Sequence, residues 1–346
     1  MRLACGCFIV PPSVLKRFAS DASLHADTRK AFADTGALEA AWRKLREAHN
    51  VATRSVLAQA VGGVAIAAAP AVTVYDCQNT TSEPGTPVPN PGASADGSAK
   101  RAFNETTGVA KFYQDCFGRN SVDNSGMTLM SSIHYGSKYN NAFWNGRQMT
   151  YGDGDGQIFI DFTMSNDVIG HELTHGVTQY TAGLTYADEP GALNESISDV
   201  FGSMFRQWEN KQTVDKADWL IGSGIMGPAA QQRGYTCLRD MADPGAKHCL
   251  SPQPVDYKHY VPGGDPHVNS GIPNRGFYEI AKAIGGNSWE KAGKIWYAAL
   301  TSKKATKSMK FKAFAKLTVS AAKTLFAADA SIAAAVTKGW KTVGVL

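Results

Sequence analysis

Long apolar runs are missing from this chain of 346 residues. The one candidate, residues 56–72, is shorter than a bilayer requires, is interrupted by Gln59, Gly62 and Gly63, and begins too late for a signal peptide. It reads better as the entrance to a strand-rich domain. A lipoprotein-like L-A-C-G-C at residues 3–7 leaves no room for an apolar h-region before it. The expectation is no membrane span and no Sec signal: a protein made in the cytoplasm and secreted by a non-Sec route.

Basic tracts interleaved with aromatics are missing too. The net charge of +5 divides into +3 over residues 1–50, +8 over 301–346 and −6 between them. An acidic middle does not suit a phosphate backbone, so no nucleic-acid partner is expected, and the terminal lysines read as a solvated helix face. Cysteine is sparse: Cys5, Cys7, Cys77, Cys116, Cys237 and Cys249 form no zinc-finger pattern. Cys77 with Cys116 and Cys237 with Cys249 are conceivable pairs that spacing alone does not decide. There is no internal repeat.

The composition falls into parts. Residues 1–50 are basic, with Pro11-Pro12 and a narrow apolar stripe of Leu38, Trp42 and Leu45 at helical spacing. Residues 51–165 are rich in Thr, Val, Ser, Asn and Gly with repeated turn signals, and read as strands plus one helix near 99–117. Two helices are expected over 166–208, separated by a loop at Pro190–Gly191. After residue 266 the pattern is helical. The fold class expected is α+β with two lobes: 1–50 as a propeptide, 51–190 as a strand-rich lobe including a metal-binding helix, and 191–346 as a mainly helical lobe.

The chemistry is concentrated in H-E-L-T-H, residues 171–175. Positions i and i+4 share a helix face, so His171 and His175 can address one ion, with Glu172 beside the metal to take a proton from water. A metzincin would place a third histidine six residues on, where Thr181 stands. Instead, G-A-L-N-E-S-I-S-D-V-F-G carries Glu195 and Asp199, again i and i+4. One carboxylate can bind the ion while the other accepts a ring N–H from a histidine ligand. Two histidines, one carboxylate and an open position make the catalytic zinc arrangement.

H-E-L-T-H-G-V-T-Q-Y-T-A-G-L-T-Y and G-A-L-N-E-S-I-S-D-V-F-G resemble the thermolysin family of zinc endopeptidases. So do S-S-I-H-Y-G-S-K-Y-N-N-A-F-W-N-G-R-Q-M-T-Y-G-D-G-D-G at 131–156 and H-V-N-S-G-I-P-N at 267–274. The resemblance runs from about residue 73 to the C-terminus. It implies a neutral metalloprotease acting on peptides and proteins, with His171, His175 and Glu195 as zinc ligands and Asp199 behind them. Glu172 would activate the water, with His267 and Tyr186 stabilising the oxyanion. Asn141, Ala142 and Trp144 would hold substrate backbone, and Arg239 the carbonyl beyond the cut. Phe159, Phe162, Val168, Ile221, Ile225 and Leu238 would line a pocket preferring a bulky apolar residue after the scissile bond, with Phe162 making it shallow.

Two departures stand out. Calcium-binding relatives have acids where Arg206, Leu220 and Ser223 fall here, so the double calcium site looks degraded, and Arg206 is expected to replace the cation by pairing with Asp167 or Asp218. Pro262 occupies the place of the acid that orients His267, and Asp265 is the substitute. The N-terminal Pro11, Pro12 and Leu15 resemble the short propeptide of the family's protealysin-like branch, which implies a zymogen inhibited by its own propeptide. The Pro-Pro step could lie across the cleft, and Cys5 or Cys7 could offer the zinc a thiolate. Cleavage is expected between about 45 and 60, with Val51 or Val56 entering the apolar pocket, and the protein is expected to be a monomer. The competing readings are a catalytically silent binding or adhesive protein, which retention of Glu172 and all three ligands disfavours, and an exopeptidase, for which no group that captures a free amino terminus is present.

Overall fold

The computed structural model describes residues 7–52 and 69–346, for 45–52 the backbone alone. The expectations placed on Cys5, Val56 and most of 56–72 fall outside the described residues, as do those on the side chains of Leu45 and Val51.

The N-terminal segment forms β1 (Cys7–Phe8), α1 (Pro12–Ala19) and α2 (Ala26–Ala52). Pro12 takes the first position of α1, where a missing N–H costs nothing and a fixed φ suits the helix. Next come β2 (Val72–Asp76), β3 (Thr86–Pro87), α3 (Gly97–Phe117), β4 (Leu129–Ile133), β5 (Ala142–Trp144) and β6 (Met149–Tyr151). Helix α3 starts two residues before the sequence suggested, because the Asp96 side chain accepts from the backbone N–H of Ser98 and Ala99. One six-stranded sheet has the order β1-β5-β6-β4-β2-β3. Its outermost strand on one side is β1, antiparallel to β5 with Cys7 opposite Trp144 and Phe8 opposite Phe143. The N-terminal segment therefore completes the sheet of the lobe that follows it.

Two central helices lie between the lobes: α4 (Asn166–Gln179) and α5 (Asp188–Glu209). The loop between them is residues 180–187. The expected break at Pro190–Gly191 is corrected, because both residues lie in the first turn of α5, where proline displaces no hydrogen bond. The helices approach closely through paired glycines: a Cβ on Gly170 would stand 3.0 Å from Gly202 Cα, and one on Gly202 would strike the Asp167 carbonyl oxygen.

A two-stranded ribbon joins β7 (Leu220–Ile221) to β8 (Arg239–Asp240), with α6 (Pro228–Gln232) between them. The remainder is helical as expected: α7 (Pro266–Asn269), α8 (Gly271–Ile284), α9 (Ala292–Leu300), α10 (Phe311–Leu325) and α11 (Ala330–Thr342). Its core is aromatic, with Trp296 and Trp340 stacked 5.5 Å apart and Phe277 edge-on to Trp296. No helix among the described residues is long and apolar enough to cross a membrane.

Trp42 and Leu38 of α2 pack against Phe8, Tyr135, Tyr139 and Phe143, so the stripe seen in the sequence does bury a face. Trp42 Nε1 donates to Tyr135 Oη at 3.2 Å. The Phe32 ring of the same helix sits 6.0 Å from that of Phe159.

Candidate active site

Helix α4 carries His171, Glu172 and His175, and α5 faces it with Glu195 and Asp199; all five are buried. His171 Nε2 and His175 Nε2 stand 2.9 Å apart. Glu195 closes the triangle, with Oε2 3.4 Å from His171 and Oε1 3.5 Å from His175. The outer nitrogens are spoken for. His171 Nδ1 donates to Asp199 Oδ1 at 2.9 Å, and His175 Nδ1 lies 2.9 Å from Asn194 Oδ1 and 3.0 Å from Ser198 Oγ. Protons on both Nδ1 atoms leave two Nε2 lone pairs facing each other beside a carboxylate.

That arrangement is repulsive without a cation and well suited to one. Glu195 Oε2 is buried with no hydrogen-bond partner among the described residues. Two imidazoles and one carboxylate, each about 2 Å from a common centre, would stand roughly 3.4 Å apart, close to the edges observed. The donor set fits zinc with one position left open. Asn194 and Ser198 had not been singled out from the sequence. Their signal was their position in N-E-S-I-S, one turn apart on the face that carries Glu195.

Asp199 does more than orient His171. Arg239 grips it through Nε and Nη2 at 2.8 and 2.7 Å, and Asn274 Nδ2 adds a bond of 2.8 Å. Burial alone would raise its carboxyl, but Arg239 and His171 outweigh that and hold it far below the carboxylate range. Glu195 behaves alike under His267 and His175. Glu172 differs: burial dominates and pushes it up to about 8.

His267 Nδ1 lies 2.5 Å from Asp265 Oδ1, which also accepts the His267 backbone N–H. The substitute acid is where the sequence reading put it. Tyr186 Oη is 3.5 Å from His267 Nε2 and bonds Glu195.

The N-terminal segment occupies the cleft. Phe8 O accepts from His267 Nε2, and Ile9 O accepts from Arg239 Nη1 at 2.9 Å. Ile9 N donates to Ala142 O at 3.1 Å. Val10 makes two hydrogen bonds with Asn141: its N–H donates to Oδ1 at 2.9 Å and its carbonyl accepts from Nδ2 at 3.1 Å. Ile9 is fully buried, as are Phe159, Phe162, Val168, Ile221, Ile225 and Leu238. The expectation for Pro11 and Pro12 is therefore corrected. Cys7–Val10 lies across the cleft, and the prolines leave it by starting α1. Leu15 is buried on that helix.

A Cys7 sulfur does lie within 4.8 Å of ligand atoms of His175 and Glu195. It is disulfide-bonded, so it presents no thiolate there. Arg206 sits in the acidic corner as expected, 2.7 Å from Asp218, 3.7 Å from Asp167 and 3.0 Å from Ser223 Oγ.

Comparison with known proteins agrees with this geometry. Residues 57–179 match the thermolysin metallopeptidase catalytic domain, and residues 182–345 match its alpha-helical domain. The chain is 44% identical over 285 residues to Protease PrtS of Photorhabdus sp. (strain Az29), covering 79% of this chain and 76% of that one. It is 43% identical over 283 residues to an extracellular metalloprotease of Pectobacterium carotovorum subsp. carotovorum, covering 79% and 80%. The solved precursor of protealysin, a metalloproteinase from Serratia proteamaculans, superposes with a TM-score of 0.82 at 40% identity, covering 98% of this chain and 100% of that one. With two family domains matched in order and relatives this similar along most of their length, the chain belongs to the thermolysin family and is a zinc metalloendopeptidase.

Proposed function

We propose that the chain is a zymogen whose residues 7–10 hold the cleft shut by binding as a substrate does. The observation that carries this is the order of contacts: His267 on the carbonyl of Phe8, Arg239 on that of Ile9, Asn141 on both polar groups of Val10. A peptide strand added to the β5 edge is the expected mode of substrate capture, with affinity from the main chain and selectivity from one pocket. In this register the Phe8–Ile9 bond faces the reacting groups and Ile9 fills the pocket beyond the cut. Cleavage before bulky apolar residues follows from the same pocket.

His171, His175 and Glu195 would hold zinc, with Asp199, Asn194 and Ser198 fixing the imidazoles. When bound, the ion supplies a Lewis acid that polarises the substrate carbonyl and acidifies water. Glu172 takes the proton of the attacking water and delivers it to the leaving amine. His267 and Tyr186 donate to the carbonyl oxygen as charge builds on it, and Asp265 keeps the His267 ring turned toward it. Arg206 takes the place of a calcium ion between Asp167 and Asp218. Residues 1–50 act as the propeptide, 51–190 and 191–346 as the two lobes. The protein works as a monomer outside the cell.

The test is the intact mass of wild type and of Glu172→Ala after the same incubation. Loss of the N-terminal segment from the wild type alone supports the reading. Equal loss from both assigns the cutting to another protease, and persistence of both makes the chain silent or dependent on a second enzyme.

A further inference from the structure

Outside the cleft, the described residues include a second cluster of soft ligands. Cys237 and Cys249 meet in an isolated parallel bridge, with their sulfurs 3.8 Å apart. A ring nitrogen of His248 lies within 4.8 Å of both. Both cysteines are fully buried, with Ala246 and Leu220 packed around them, while the His248 side chain is 39% exposed. His248 Nε2 stands 3.2 Å from Asp240 Oδ2.

We propose that Cys237, Cys249 and His248 bind a second divalent cation of the zinc class, which staples the loop that carries Arg239. Two thiolates on a tetrahedral zinc, with Zn–S near 2.3 Å, are about 3.8 Å apart, whereas a disulfide holds its sulfurs at about 2.0 Å. A simple thiol–thiol contact spans the same distance, but it gives no role to His248 or to the acid behind it. Donation from Nε2–H to Asp240 leaves Nδ1 with a free lone pair, which is how a metal-binding imidazole is held by a second-shell carboxylate. The exposed side of His248 lets water supply a fourth ligand.

The chemistry of the pair agrees. Binding exchanges two thiol protons for one divalent cation, leaving two thiolate–metal bonds and releasing two protons to solvent. Thiolate and imidazole select zinc over calcium or magnesium, which take oxygen ligands.

The placement gives the site a consequence. Cys237 directly precedes Leu238 and Arg239, and its carbonyl accepts from Leu250 N at 2.9 Å. Arg239 is the side chain that reaches both Asp199 and the occupant of the cleft. A cation bridging 237 to 248–249 fixes the segment on which that arginine stands.

The full-length Glu172→Ala chain keeps its zinc ligands and does not process itself. It is saturated with zinc, dialysed, and its metal counted by plasma mass spectrometry. The expectation is two zinc ions per chain, and one in the same chain carrying Cys237→Ser and Cys249→Ser. One is expected also with His171→Ala, and the cobalt-loaded form of that variant shows a thiolate-to-metal charge-transfer band that Cys237→Ser abolishes. His248→Ala, at a partly exposed position that tolerates truncation, keeps the fold and weakens the second metal by at least about tenfold. One zinc per chain before any cysteine change overturns the proposal. So does a 237–249 peptide lighter by two hydrogens under non-reducing digestion, which identifies a disulfide. Failure of the catalytic reading looks different: His171→Ala then leaves the metal count unchanged.

Discussion

Glu39 makes the grip of the propeptide depend on pH. Its carboxyl is 1% exposed, accepts from Asn141 Nδ2 at 2.6 Å and lies 3.0 Å from the half-buried Arg43. Burial is the largest influence and raises it from 4.5 to about 7, against the pull of Asn141 and Arg43. A carboxyl raised in the docked state contributes stability that is fully present below 4.5 and is lost as pH rises through about 7. At about 1.4 kcal/mol for each pH unit, the span is about 3 kcal/mol, a change in the opening equilibrium on the order of a hundredfold. Glu39→Gln keeps the amide acceptor for Asn141 and removes the charge, so its docking is insensitive to this titration. The assay is the ratio of self-processing rates, wild type over Glu39→Gln, by intact mass across a pH series. Taking the ratio cancels the pH dependence of the chemistry, which both chains share. The expectation is a ratio near unity in acid below about pH 4.5, rising toward about a hundred by about pH 8. A ratio that stays flat, or a glutamine variant that matures faster than wild type in alkali, refutes the argument and means Arg43 sustains the ionised form.

Three further outcomes follow from the site. Gly202→Ala puts a methyl against the Asp167 carbonyl oxygen and 3.1 Å from His171 N, forcing α4 and α5 apart. It is expected to cost about 1–3 kcal/mol in chemical denaturation and to weaken zinc retention in dialysis. Asp265→Asn removes the carboxylate on His267 Nδ1, so kcat on a peptide substrate falls by about ten- to a hundredfold with KM little changed; an equal rise in KM would place Asp265 in binding instead. Arg206→Ala leaves the buried Asp167 and the half-exposed Asp218 unpaired. Its melting temperature falls by several degrees in chelator and recovers in millimolar calcium, which shows that the guanidinium occupies a cation's place.

The grouping of the candidate metal ligands was legible because its signals are local. His171 with His175 and Glu195 with Asp199 are one helical turn apart, and helix geometry alone puts each pair on one face. Asp265 was legible for the same reason, two residues from the ring it orients. What closes the cleft was not. The bonds from Val10 to Asn141 join positions 131 apart in the chain, and pairing at that range leaves no period in the sequence. The two prolines drew attention because their backbone is stiff, but stiffness at Pro12 starts a helix. The contacts made in the cleft belong to the unremarkable C-F-I-V before them. Pro190 misled in the same way, a helix-breaker by residue type that sits in a first turn where nothing is broken.

The central claim is that residues 7–10 alone occlude a finished active site. It is tested most directly by a chain that begins at residue 11 and so retains α1 and α2. Zinc-loaded and assayed at once on a fluorogenic peptide with a bulky apolar residue after the cut, it should be active with α1 and α2 still attached, as confirmed by mass. The full-length chain should be silent until processed. If the shortened chain is equally silent and gains activity only when the rest of the propeptide is removed, the block lies in those helices and the substrate-like strand is incidental.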